Sequence, residues 1–151
     1  MKNFIVAICI GAIIIFFESC KNDIPKSDIN NSSIISTWEL KRTQGGMSPV
    51  KDYPSGNGTI LKFSDSLYER HENGSLIKSG HYKLIRDTSV EAEVGLVIPT
   101  WQFTNRIVYD NDAASHKTFI EVSNNELTFL SGFFPSDGGS EVSYERIIKK
   151  R

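Results

Sequence analysis

From Ile34 onward, apolar residues return at every second position and almost never at helical spacing. In an extended backbone that period sends alternate side chains to opposite faces, so it limits the fold more tightly than any other feature of the chain. "STWELKRT" sets Trp38, Leu40 and Arg42 on one face and Thr37, Glu39 and Lys41 on the other. "GTILKFSD" groups Leu61 with Phe63, and "WQFTNRIVYD" groups Trp101, Phe103, Ile107 and Tyr109. "EVSYERIIKK" groups Val142, Tyr144, Arg146 and Ile148. Clusters of Gly, Asn, Asp and Ser break these runs, and no window of eleven or more residues after Cys20 carries a helical stripe. The pattern predicts an all-β antiparallel domain with eight strands near 35–43, 58–64, 66–71, 75–86, 100–110, 116–123, 126–131 and 141–149. Residues 90–98, around "VGLVI", are either a ninth strand or an insertion ahead of Pro99.

Two hairpins fix registers. Asn124–Asn125 suits a two-residue type I′ loop, because Asn tolerates positive φ. That loop opposes Val122 to Leu127 and Ile120 to Phe129, all four on one face. In "HENGS" a two-residue Asn73–Gly74 loop scatters the apolar residues over both faces. A three-residue loop pairs His71 with Ser75 and gathers Tyr68, Leu76, Tyr82 and Leu84, so the three-residue loop is expected. Eight sequential antiparallel strands either split into a sandwich or close into a barrel, and only closure removes both edges.

The first twenty residues differ from the rest. Lys2 precedes an uncharged run, Phe4 to Phe17, of fourteen residues. A spanning helix needs about 20 apolar residues, so this run fits a signal-peptide core better than a membrane span. "FFESCKND" follows, and a small residue before a cysteine at that point resembles the lipobox of bacterial lipoproteins. The resemblance implies a signal peptide over 1–19, cleavage before Cys20 and acylation of Cys20. The alternatives are a plain secretory signal and an uncleaved membrane anchor. Residues 20–33, "CKNDIPKSDINNSS", read as the lipidated cysteine and a disordered polar tether, with the domain over 34–151. Cys9 lies in the signal, so the mature chain keeps one cysteine and has no internal disulfide.

"STWEL" at the start, "GTILKFSDSLYERHENG" and "SGHYKL" in the first half, and "SYERI" at the end resemble the lipocalin-like lipoproteins of Bacteroidota. Ser36 stands where lipocalins proper carry a glycine before the first-strand tryptophan, and Arg146 matches their late arginine. The resemblance implies an up-and-down barrel of about eight strands, closed by Arg146 stacked on Trp38. It also implies an outer-membrane lipoprotein of the cell envelope, surface-exposed or on the inner leaflet, held to the membrane by its lipid anchor.

Chemistry is sparse. His71, His81 and His116 show no metal-ligand spacing, and the expected register holds His71 and His81 about 20 Å apart. "DNDAAS" lacks the glycine and closing glutamate of a calcium loop and reads as a solvated loop. There is no GxSxG elbow, and Glu39, Glu69, Glu121 and Glu145 fall on outward faces, so no enzyme and no cofactor are expected. A net charge of −1 gives no sign of nucleic acid, and a monomer is expected. What remains is the barrel interior. Tyr68, Tyr82, Trp101, Phe103 and Phe129 are the candidate ligand-binding residues for a small apolar molecule. The alternative is a filled barrel whose loops, Gln44–Asn57 and Ser131–Ser140 with Phe133 and Phe134, contact an envelope protein or glycan.

Overall fold

The computed structural model describes residues 31–46, 48–99, 101–134 and 138–148. The expected signal segment, Cys20 and most of the expected tether lie outside these residues. The described chain opens on a single helical turn, α1 (Asn31–Ile34), and nine strands follow. They are β1 (Ser36–Gly45), β2 (Ser48–Asp52), β3 (Thr59–Phe63), β4 (Leu67–Glu72), β5 (Ser75–Arg86), β6 (Asn105–Tyr109), β7 (Thr118–Ser123), β8 (Glu126–Ser131) and β9 (Ser140–Arg146). A short helix, α2 (Val90–Val94), lies between β5 and β6.

The sheet runs β2-β1-β3-β4-β5-β6-β7-β8-β9 with antiparallel neighbours, and β1 also pairs with β9. Eight strands therefore close on themselves, and β2 is an extra strand outside the ring. Closure settles the choice between sandwich and barrel. Its cause is visible at the seam, where Trp38 pairs with Arg146 and the guanidinium carbon stands 4.3 Å from the indole centroid. Trp38 is fully buried, and its Nε1–H donates to the Ile34 carbonyl at 2.8 Å. Arg146 donates to the Ser33 carbonyl at 2.9 Å. Ile34, Trp38 and Arg146 thus floor one end of the barrel, and α1 is part of that floor.

β1 is long enough to serve two partners on the same edge. Ser36–Glu39 pair with β3, and Arg42–Gly45 pair with β2. Opposite β9 the register shifts between Leu40 and Arg42, so Lys41 is the extra residue of a bulge. The bulge turns Arg42 outward, away from the face of Trp38 and Leu40 that strict alternation predicts for it. Outside, Arg42 Nε meets Asp52 Oδ1 at 2.6 Å and helps hold β2, a strand in what the sequence suggested was loop.

The β7–β8 hairpin has the expected register, Val122 to Leu127 and Ile120 to Phe129, with Asn124 at φ 54°. The β4–β5 hairpin does not. Its loop is the two-residue Asn73–Gly74 turn, both residues at positive φ, with Glu72 opposite Ser75. A bulge at Ile77 then shifts the register, so that Arg70 faces Lys78 and Leu67 faces His81. The result differs from the expected register by two residues, which preserves the parity of every side chain beyond the bulge. Tyr68, Tyr82 and Leu84 accordingly face inward as expected. Leu76, on the turn side of the bulge, is 56% exposed.

The interior core contains Leu61, Phe63, Tyr68, Tyr82, Ile107, Ile120, Leu127 and Phe129 above the floor residues. A second apolar cluster lies on the outside. Val90 and Val94 of α2, with Phe103 and Phe134, cover Phe119 and Leu130 on the outer faces of β7 and β8. Residues 90–98 are therefore an insertion carrying a helix; Val90, Val94, Leu96 and Ile98 pack on the outer wall, while Val97 is exposed. Lys117 secures this cover from the strand side, with Asp87 at 3.3 Å and Glu93 at 3.0 Å. The end of the chain also departs from alternation: β9 stops at Arg146, and Ile148 is exposed rather than inward.

Candidate functional site

The lower barrel is solid. Phe63 and Tyr82 meet edge to face at 4.8 Å, and the Tyr82 hydroxyl donates to the Ser64 carbonyl at 2.9 Å. Above them the lumen opens into a cavity of about 290 Å³. Its apolar walls are Leu61, Phe129 and Val142, and three tyrosine rings, Tyr68, Tyr109 and Tyr144, project into it. Tyr68 packs edge to face on Tyr109 at 4.7 Å, and Phe129 on Tyr144 at 5.8 Å, so the rings are held by one another. Thr118, Ser131 and Ser140 add hydroxyls, and Arg70 and Lys78 add cations.

The tyrosines differ in what their hydroxyls do. Tyr68 donates to Asp110 Oδ2 at 3.1 Å. Asp110 also accepts the His81 backbone N–H at 2.9 Å, so its carboxylate lies against the backbone of Gly80. A β-carbon at Gly80 would fall on Asp110 Oδ1, which explains why no side chain stands at that point of β5. Asp110 therefore anchors the mouth, and the "DNDAAS" loop that it opens is solvent-exposed throughout, as expected. The hydroxyls of Tyr109 and Tyr144 make no hydrogen bond among the described residues. Burial pushes the phenol of Tyr109 well above its ordinary range, with smaller contributions from Tyr144, Tyr68 and Tyr82. Burial also raises Tyr144, against the opposing charge of Arg70. Both therefore stay protonated, able to donate and accept at neutral pH.

The two cations are held lightly. Arg70 Nη2 meets Glu72 Oε1 at 2.5 Å, two residues along the same strand. Lys78 Nζ reaches Asp110 only at 3.9 Å and lies 5.8 Å from the Tyr68 ring centroid. Contact with the Tyr68 hydroxyl raises the Lys78 ammonium above its ordinary range, desolvation opposes this, and the charge of Asp110 adds least.

Of the residues expected to bind ligand, Tyr68 and Phe129 line the cavity. Tyr82 belongs to the packed core beneath it. Trp101 and Phe103 are outside the barrel. β6 begins only at Asn105, and Phe103, at φ 48°, turns the chain before it, so alternation counted back from Ile107 does not apply to them. Trp101 is 47% exposed, and Phe103 is in the outer cluster. Arg70, Lys78, Tyr109 and Tyr144 complete the site. The signal for Arg70 and Lys78 lies in parity, since they share alternate positions with Tyr68 and Tyr82.

A broader hollow of about 500 Å³ lies outside the barrel, where Trp101 and Gln102 adjoin Glu121, Asn124, Asn125 and Glu126. Burial, then the charge of Glu126, raise the Glu121 carboxyl, while Lys41 at 2.9 Å holds Glu126 below its ordinary range. Trp101 is the large apolar residue in this hollow, and the rest of its lining residues are polar or charged. The lumen combines apolar walls with a few convergent polar groups, the mixture that holds and orients an organic molecule.

No family model, no curated protein and no solved structure matches this chain.

Proposed function

We propose that the domain is a non-catalytic binding module of the cell envelope, taking one small, largely apolar molecule into the upper lumen of a lipocalin-like barrel. The observation that carries this reading is the cavity itself: apolar walls beside two tyrosine hydroxyls with no protein partner among the described residues. An eight-stranded barrel is just wide enough either to be filled by its side chains or to hold one small ligand. Here the lower half is filled and the upper half is not. Its size is at the small end of the roughly 300–1,000 Å³ typical of ligand sites.

Thr118, on the cavity wall, allows a direct test. Thr118→Trp should fill the lumen and weaken binding of the neutral fluorophore N-phenylnaphthylamine by about tenfold or more, with the β-sheet circular dichroism retained. Equal binding by parent and variant would place the probe elsewhere and remove the reading. Failure of the parent to bind would favour the second reading, an interaction module. Support for that alternative comes from Val97, Trp101 and Phe133, which leave apolar surface exposed around the outer cluster.

The proposal includes an address: an outer-membrane lipoprotein anchored through Cys20. It rests on the h-region that ends at "SC". Cys20→Ser should move the protein from the membrane fraction to the soluble envelope fraction of the native host. A variant that stays with the membrane would indicate a spanning anchor instead.

A further inference from the structure

We infer that the ligand is a compact organic anion, its acid group received between Arg70 and Lys78 and its body in the lumen; this rests on the barrel-binding reading above. Arg70 on β4 and Lys78 on β5 are registered directly opposite each other, and both border the cavity. Like charges at directly opposed positions repel, weakly here because both side chains are more than half exposed, and an anion between them would relieve that repulsion. Their own carboxylate partners do little to relieve this. Glu72 and Arg70 are an exposed pair on one strand, of the kind that contributes little. Asp110 already accepts from the Tyr68 hydroxyl and the His81 N–H, and it is at the limit of ion-pair distance from Lys78. Most N–H donors of the two cations remain available to an incoming acid, as do the hydroxyls of Tyr109 and Tyr144.

Size completes the description. A cavity of about 290 Å³ takes a short-chain or one- to two-ring body, with the acid at the mouth where water still reaches it. A long acyl chain does not fit, because Phe63 and Tyr82 block the lumen beneath.

Two probes with one hydrocarbon skeleton separate the acid from the body. Anilinonaphthalene sulfonate carries a sulfonate that N-phenylnaphthylamine lacks. The parent should bind the sulfonate about tenfold more tightly. The double variant Arg70→Met/Lys78→Met should lose that preference, the two probes then binding within about twofold of each other. The exchanged pair Arg70→Lys/Lys78→Arg should retain the preference, and high salt should weaken it in the parent. Equal affinity of the parent for both probes would overturn the inference and leave the barrel-binding reading intact. So would a sulfonate preference that survives in the double Met variant. Binding of neither probe by the folded parent would remove both.

Discussion

Trp38→Ala should bring the domain close to unfolding at room temperature, with a loss of about 3–5 kcal/mol in urea denaturation. Small domains have only about 5–15 kcal/mol in total. The indole is fully buried, donates to the Ile34 carbonyl and forms the face on which Arg146 stacks. Its loss would open a void at the floor, leave the Ile34 carbonyl without its donor, and take away the face on which Arg146 stacks, although Arg146 keeps its bond to the Ser33 carbonyl. Trp38→Phe and Arg146→Met, milder changes, should each destabilise. Together they should cost less than their sum by about 0.5 kcal/mol or more, because each removes the same contact. A loss below about 1 kcal/mol for Trp38→Ala would mean that strand pairing alone holds the ring shut.

The second large effect is expected at Gly139, where a methyl group would fall on the backbone of Phe133 and Phe134. The contact is with main chain rather than with the end of a flexible side chain, so it cannot be relieved by changing a rotamer. Gly139→Ala should therefore force the β8–β9 connection apart and lift Phe134 out of the outer cluster, where it covers the wall beside Val90 and Val94. Overpacking of this kind costs about 2–3 kcal/mol, which lowers the melting temperature by roughly 8 °C or more. An unchanged melting temperature would mean that the connection rearranges without strain and that Phe134 contributes little to the outer cover.

The barrel was legible in the sequence because alternation reports directly on which face of a strand is buried. The strands of the ring and the β7–β8 register follow from it, whereas the Trp38–Arg146 seam was expected from the resemblance to lipocalin-like proteins. Where the reading failed, a backbone irregularity had intervened. Bulges at Lys41 and Ile77 each add one residue that no side-chain pattern announces, and they turn Arg42 and Leu76 outward. Phe103 misled for a related reason: it is apolar and in phase with Ile107, but a positive φ separates it from the strand. The cluster on the outer wall was equally invisible, since Phe119 and Leu130 on the outer face have the same chemistry as Ile120 and Phe129 on the inner. The site was half legible. Tyr68 and Phe129 were identified as large rings on inward positions. Arg70 and Lys78 were passed over because a cation on an inward face contradicts the premise of an apolar lumen, although their parity was available.

The extra strand bears on how molecules of this kind behave at high concentration. A ring of strands presents no row of vacant N–H and C=O groups, whereas β2, paired on one side only among the described residues, restores such a row. Left plain, it could recruit the same strand of a neighbouring chain and begin a stack. The five residues of "SPVKD" discourage this. Pro49 has no amide proton to offer, Lys51 and Asp52 would each have to be stripped of water, and the whole strand is solvent-exposed. At high concentration β2 is where self-association would start, and its composition resists it.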